Sequence, residues 1–183
     1  EDAPMRVYLK FHTPASITGR EVIWCQDQND GQMAVHENFF PLSLKTVWLD
    51  PHGQLAMMGQ RYPITEIGMV RLVEKLIERG EKDRSSRDVS VKLITDHLLD
   101  DRPTDLIQVT RSKPSGDDDD FSLAEIVIDR ERMLILSFRS FGWPGENDQE
   151  APLLESYTYY DVQTNVGLGD EDFDPENASY NFP

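Results

Sequence analysis

The chain has 183 residues, of which 34 are Asp or Glu and 18 are Lys or Arg, a formal charge of -16. That balance repels phosphate backbones and anionic lipid surfaces, which excludes nucleic acid as a partner. No apolar run approaches the roughly 20 residues that span a bilayer as a helix, and the length suits one sizeable core in a single domain.

Charge is unevenly placed. After Arg139 there is no Lys or Arg, and ten acids follow from Glu146 to Glu176. With Asp117 to Asp120 these make fourteen of the 34 acids, so the excess charge sits in one acidic run and the C-terminal region. Cys25 has no disulfide partner in the chain and lies in a strand pattern, where a small buried hydrophobe is the expected role. The chain opens on Glu1 without a signal segment, as a processed or trimmed product does.

Period-2 alternation begins at once. Met5, Val7, Leu9 and Phe11 alternate with Arg6, Tyr8 and Lys10, the pattern of a half-buried strand. Arg20 to Gln26 forms a second strand, with Val22 and Trp24 on one side and Ile23 and Cys25 on the other. Asn29-Asp30-Gly31 tolerates positive φ and predicts a hairpin into Gln32 to Glu37. Lys45 to Asp50 places Val47 and Leu49 opposite Trp48, and Pro51-His52-Gly53 turns the chain so that Leu55 to Met58 continues the meander.

Thr65 to Gly80 is the one long stretch with helical spacing. Ile67, Val70, Val73, Leu76 and Ile77 form an apolar stripe away from Arg71, Glu74, Lys75 and Glu78. Thr65 suits the N-cap and Gly80 the left-handed closing residue. Strands then resume: Val89 to about Leu98, a turn at Arg102-Pro103-Thr104-Asp105, Leu106 to Thr110, Ser122 to Asp129, Met133 to Phe138 and Leu153 to Val162. In the fourth of these, strict alternation puts Met133 and Ile135 on one face and Leu134, Leu136 and Phe138 on the other. The Asp117 to Asp120 run reads as a solvated loop, lacking the spaced oxygen ligands of a calcium site. About ten strands and one helix give a mainly β, α+β fold: a curved antiparallel sheet, or half-barrel, with the amphipathic helix covering its concave face.

Chemistry-bearing motifs are scarce. Gly167-Leu168-Gly169 lacks the context of a phosphate cradle. His12, His36, His52 and His97 sit in separate elements, and Asp96 and His97 point to opposite faces of a strand. Asn177-Ala178-Ser179 matches a short glycosylation pattern. The expectation is a protein without catalytic residues, metal or cofactor. Its function is expected to lie in an apolar cleft between sheet and helix, lined by Trp24, Trp48, Met57, Val70, Val73, Leu76, Ile77, Leu136 and Phe138.

The C-terminal stretch YTYYDVQTNVGLGDEDFDPENASYNF resembles the closing segment of proteins similar to the outer-membrane lipoprotein carrier LolA, with Asp161, Asn165 and Phe173 at the matching positions. Tyr8 to Phe11 (YLKF), Thr46 to Met57 (TVWLDPHGQLAM) and Gly59 to Gly68 (GQRYPITEIG) extend the resemblance to a family of exported, LolA-like bacterial proteins over nearly the whole chain. It implies a half-barrel with helices across its open face, strands or a helix preceding Glu1, and a periplasmic or otherwise exported setting. It also implies a lipid or lipoprotein acyl chain as ligand, or an envelope protein as partner. The carrier's functional basic residue finds no matching position. The acidic C-terminal region gives the alternative expectation, an interaction or sensor domain that docks a basic partner.

Overall fold

Alternating residues in the first fifty positions pair in chain order. In the computed structural model, which describes residues 3–117, 120–145 and 150–183, β1 (Arg6–Lys10), β2 (Glu21–Cys25), β3 (Met33–His36) and β4 (Val47–Leu49) form an antiparallel sheet in that order. Val22, Trp24, Met33 and Val35 face one side and pack with Ile64, Val7, Leu9 and Leu49. Ile23, Cys25 and Ala34 face the other side. Asn29, Asp30 and Gly31 all take positive φ and turn the chain between β2 and β3.

These strands belong to a compact unit made of Glu1–Ile67 and Thr164–Pro183, while Gly68–Gln163 forms a second unit. Leu55 to Met58 does not extend the meander: α1 (Gln54–Met57) is a single helical turn, built from good helix formers, whose Ala56 joins the first core.

The helix expected over Thr65 to Gly80 is α2 (Met69–Asp83). Its start is displaced because Ile64, buried, and Ile67 pack in the core of the first sheet, with Ile64–Glu66 in a 3-10 turn. Gly68, at φ 99°, then redirects the chain, and its carbonyl accepts from Leu72 N at 3.1 Å. Gly80 is interior and does not close the helix. The last turn continues because Asp83 receives Arg79 Nε at 3.3 Å and also pairs with Arg111. The half-buried stripe that packs on the sheet therefore runs Met69, Leu72, Val73, Leu76.

In the second unit, β5 (Val89–Leu99), β6 (Arg102–Arg111), β7 (Leu123–Asp129), β8 (Ile135–Phe141) and β9 (Leu153–Thr158) form a five-stranded antiparallel sheet in sequence order. The fold is thus mainly β and α+β, with two open, curved antiparallel sheets and one main helix. Nine strands are present among the described residues. They split into two sheets because the chain between β4 and β5 runs through α1 and α2, not a hairpin.

Two local departures matter. The turn between β5 and β6 is Asp100-Asp101, both at positive φ, and Arg102 and Pro103 already pair with Leu99 and Leu98. Pro103 is tolerated there because β7 begins its pairing only at Thr104. In β8, Val127 pairs with Ser137 but Ile128 pairs with Ile135, so Leu136 is an extra, bulged residue. The bulge breaks strict alternation and brings Ile135 and Phe138 to one face, where they join Ala124 and Ile126 under α2.

Candidate binding site

The C-terminal segment is a strap on the first sheet. Phe173, Tyr180 and Phe182 cover Ile23, Cys25 and Ala34, and the Tyr8 and Tyr180 rings stack at 4.2 Å. Glu21 is fully buried. Its Oε2 accepts the Asn181 backbone N–H at 2.9 Å, its Oε1 accepts Asn181 Nδ2 at 2.6 Å, and Lys10 Nζ lies 2.8 Å from Oε1. Burial pushes the Glu21 carboxyl up, but the bonds from Lys10 and Asn181 outweigh it and hold the group below its ordinary range. Burial pushes the Cys25 thiol up.

Local bonds hold the strap in its own shape. Asp172 Oδ2 accepts Gly169 N at 2.7 Å, which fixes the 3-10 turn Asp170–Phe173. Asn177 Nδ2 donates to the Glu171 carbonyl at 2.7 Å, and Tyr180 Oη donates to the Asp172 carbonyl at 2.7 Å. Asp170 is drawn to Arg6, which also binds Asp27 at 2.9 Å and holds that carboxyl below its ordinary range.

The strap and the sheet together form a groove of about 500 Å³. Gln28, Asn29, Thr46 and Trp48 line one side, and Asp170, Glu171, Phe173, Asp174, Pro175 and Glu176 line the other, with Pro183. Trp48 is 41% exposed. Its backbone pairs with Ala34, which places the indole on the strap-covered face. Glu171, Asp174 and Glu176 have no ion-pair partner among the described residues, and the groove lining contains no Lys or Arg. Three carboxylates without a cation partner among the described residues, beside an open indole, can neutralise a positively charged group and stack it on an aromatic face.

The expected apolar cleft residues are dispersed. Trp24 is buried on the inner face of the first sheet with its indole N–H on the Gly31 carbonyl at 3.0 Å, and Trp48 lies on the outer face. Met57 is half-buried in α1. In the second unit Val73, Leu76 and Phe138 do meet in one cluster. Leu136 is buried at the bulge, while Val70 and Ile77 are 72% and 57% exposed.

A second cavity, about 440 Å³, is lined by Arg102, Pro103 and Asp129 to Arg132. Asp129 accepts the Glu131 and Arg132 backbone N–H groups and Arg132 Nε, Arg130 binds Asp105, and Arg132 also binds the Val162 carbonyl. These bonds brace the β7–β8 turn. The expected solvated aspartate run is also engaged: Asp117 meets Lys82 Nζ at 2.9 Å, and Asp120 lies 3.5 Å from Arg79. Asp118 and Asp119 lie outside the described residues. Among the described residues no group of three His, Cys, Asp or Glu is placed to hold a metal ion, and no helix is long and apolar enough to cross a membrane.

The groove was hidden in the sequence because its two walls are far apart along the chain. The available signal was three aromatic residues, Phe173, Tyr180 and Phe182, in an otherwise acidic stretch.

No curated protein matches the chain. Among solved structures, one chain in the structure of the CwlD amidase from Clostridioides difficile in complex with the GerS lipoprotein aligns over 87% of this chain and 69% of its own length, at 12% identity and a TM-score of 0.43. A likeness that distant carries no argument about fold or function. The family match spans both units and the strap: a family model described as protein of unknown function (DUF1571) covers residues 1–182, and the chain belongs to that family.

Proposed function

We propose that this protein is a non-catalytic binding module that docks a cationic segment of a partner protein in the acidic groove beside Trp48. The observation that carries this reading is the juxtaposition, in one open groove, of the exposed indole with Glu171, Asp174 and Glu176, none paired with a cation among the described residues. An Arg or Lys side chain entering there replaces water with carboxylates on one side and a ring face on the other. Calorimetric titration with an oligo-arginine peptide tests it. Micromolar binding is expected at low salt, weakening about tenfold by 0.3 M salt, and lost in the Glu171→Gln/Asp174→Asn/Glu176→Gln variant. Salt-insensitive binding, or binding retained by that variant, overturns the reading.

A second reading, binding of a lipid or lipoprotein acyl chain in the cell envelope, is favoured by the second unit. Val91 and Leu93 pair with Val109 and Ile107 on the α2 side of the sheet, yet are 66% and 58% exposed. The resemblance to LolA-like exported proteins supports the same ligand class and an exported setting. Met69, Leu72, Val73 and Leu76 fill the sheet beneath α2, so an enclosed acyl chain requires α2 to move aside. Hydrogen exchange with and without a fatty acid reads this: slower exchange across α2 with ligand supports it, and an unchanged α2 counts against it.

A further inference from the structure

We propose that the connection between β3 and β4 seats the protein on the lipid–water interface of a zwitterionic bilayer. At its tip Phe39, Phe40 and Leu44 are 51%, 79% and 67% exposed. The tip is held in shape by short-range bonds: Ser43 N donates to the Phe39 carbonyl at 2.8 Å, and Leu44 N to the Pro41 carbonyl at 3.2 Å. Its base is anchored too, with Glu37 on Arg20 at 2.7 Å and Asn38 packed so closely on Gly19 that a Cβ there would meet Asn38 Nδ2 at 2.7 Å. Three large apolar side chains are therefore displayed by a built turn.

Charge and area identify the occupant. Residues 38–49 contain no Asp or Glu in a chain with 34 acids, and their single charge is Lys45. The segment that displays the apolar tip thus contributes no acid of its own. Phe39, Phe40 and Leu44 together expose on the order of 400 Å², about half of the roughly 800 Å² per partner that a stable protein interface needs. Interfacial insertion has no such threshold, because a bilayer accepts phenyl and isobutyl groups without shape complementarity. Lys45, next to the tip, meets headgroup phosphates, while the formal charge of -16 disfavours an anionic leaflet.

Flotation of the full chain with phosphatidylcholine vesicles tests this. The protein is expected to float, and Phe39→Ser/Phe40→Ser to lower the bound fraction about tenfold with an unchanged melting curve, since both rings are exposed. Phosphatidylglycerol in the vesicles is expected to reduce binding at low salt. In Phe40→Trp, vesicles are expected to shift the added indole emission to shorter wavelength. Failure of the wild type to float, undiminished flotation of the double variant, or no emission shift overturns the proposal. So does conversion of a dimer to a monomer by the double substitution, which assigns the tip to a second copy of the chain.

Discussion

Asn181 closes on Glu21 across 160 positions of sequence, giving both its backbone N–H and its side-chain Nδ2 to the two oxygens of one buried carboxylate. Because Lys10 reaches the same carboxylate, Glu21 joins β1, β2 and the strap at a single point. Glu21→Ala leaves three donors without their acceptor and is expected to cost about 2–3 kcal/mol, read as a lower urea midpoint at unchanged slope.

The same contact gives a pH dependence. A carboxyl whose pKa is lower in the folded chain stabilises the fold above its ordinary value, and that contribution is lost as pH falls through the folded value. Glu21 is held low in this way, as are Asp27 beside Arg6 and Asp129 beneath the backbone N–H and guanidinium of Arg132. Stability is therefore expected to be flat near neutrality and to fall below about pH 4. Glu21→Gln should flatten part of that fall, leaving the aspartates' share, in urea titrations between pH 7 and 2.5.

Cys25 reports on the strap. The thiol is 1% exposed beneath the strap's aromatic residues, and burial raises its pKa, so it is expected to resist thiol reagents in the native protein. Tyr180→Ala/Phe182→Ala removes the stacked ring and the cover. A rise of at least about tenfold in labelling rate is expected, without loss of the second sheet's hydrogen-exchange protection.

In the second unit the cost of truncation should follow burial, not the hydrophobicity of the residue. Phe138→Ala is expected to cost about 3–5 kcal/mol, because the ring sits in the cluster beneath α2 and stacks near Tyr157 at 6.3 Å. Val70→Ser and Ile77→Ser, on the exposed flank of the same helix, should each change stability by less than about 0.5 kcal/mol. Denaturant unfolding of the three variants checks the ordering.

How much of this was legible depends on the range of the interactions. The first sheet's faces follow from alternation alone: Val22 and Trp24 inside, Ile23 and Cys25 outside, Trp48 opposite Val47 and Leu49. The helix was legible as an element but not in its bounds, because Ile67 was claimed by a core built from Val22, Trp24 and Val35, which no helical period records. The bulge at Leu136 likewise follows from pairing with β7, not from the residues of β8 themselves. The groove was least legible: Trp48 and Glu171 become neighbours only after the aromatic side chains of the strap find the sheet.

The first unit is assembled from two stretches of chain, residues up to Ile67 and residues from Thr164, with the whole second unit between them. On the ribosome the second unit is delivered as one uninterrupted piece, whereas the outer face of the first sheet waits for the residues from Thr164 onward to emerge. Until then Ile23 and Ala34 are presented bare to the surroundings, on a four-stranded sheet whose edges are open. Translation order thus makes Phe173, Tyr180 and Phe182 the step that ends the nascent chain's exposure to aggregation, and a chain truncated before Phe173 should aggregate even though its second unit is whole.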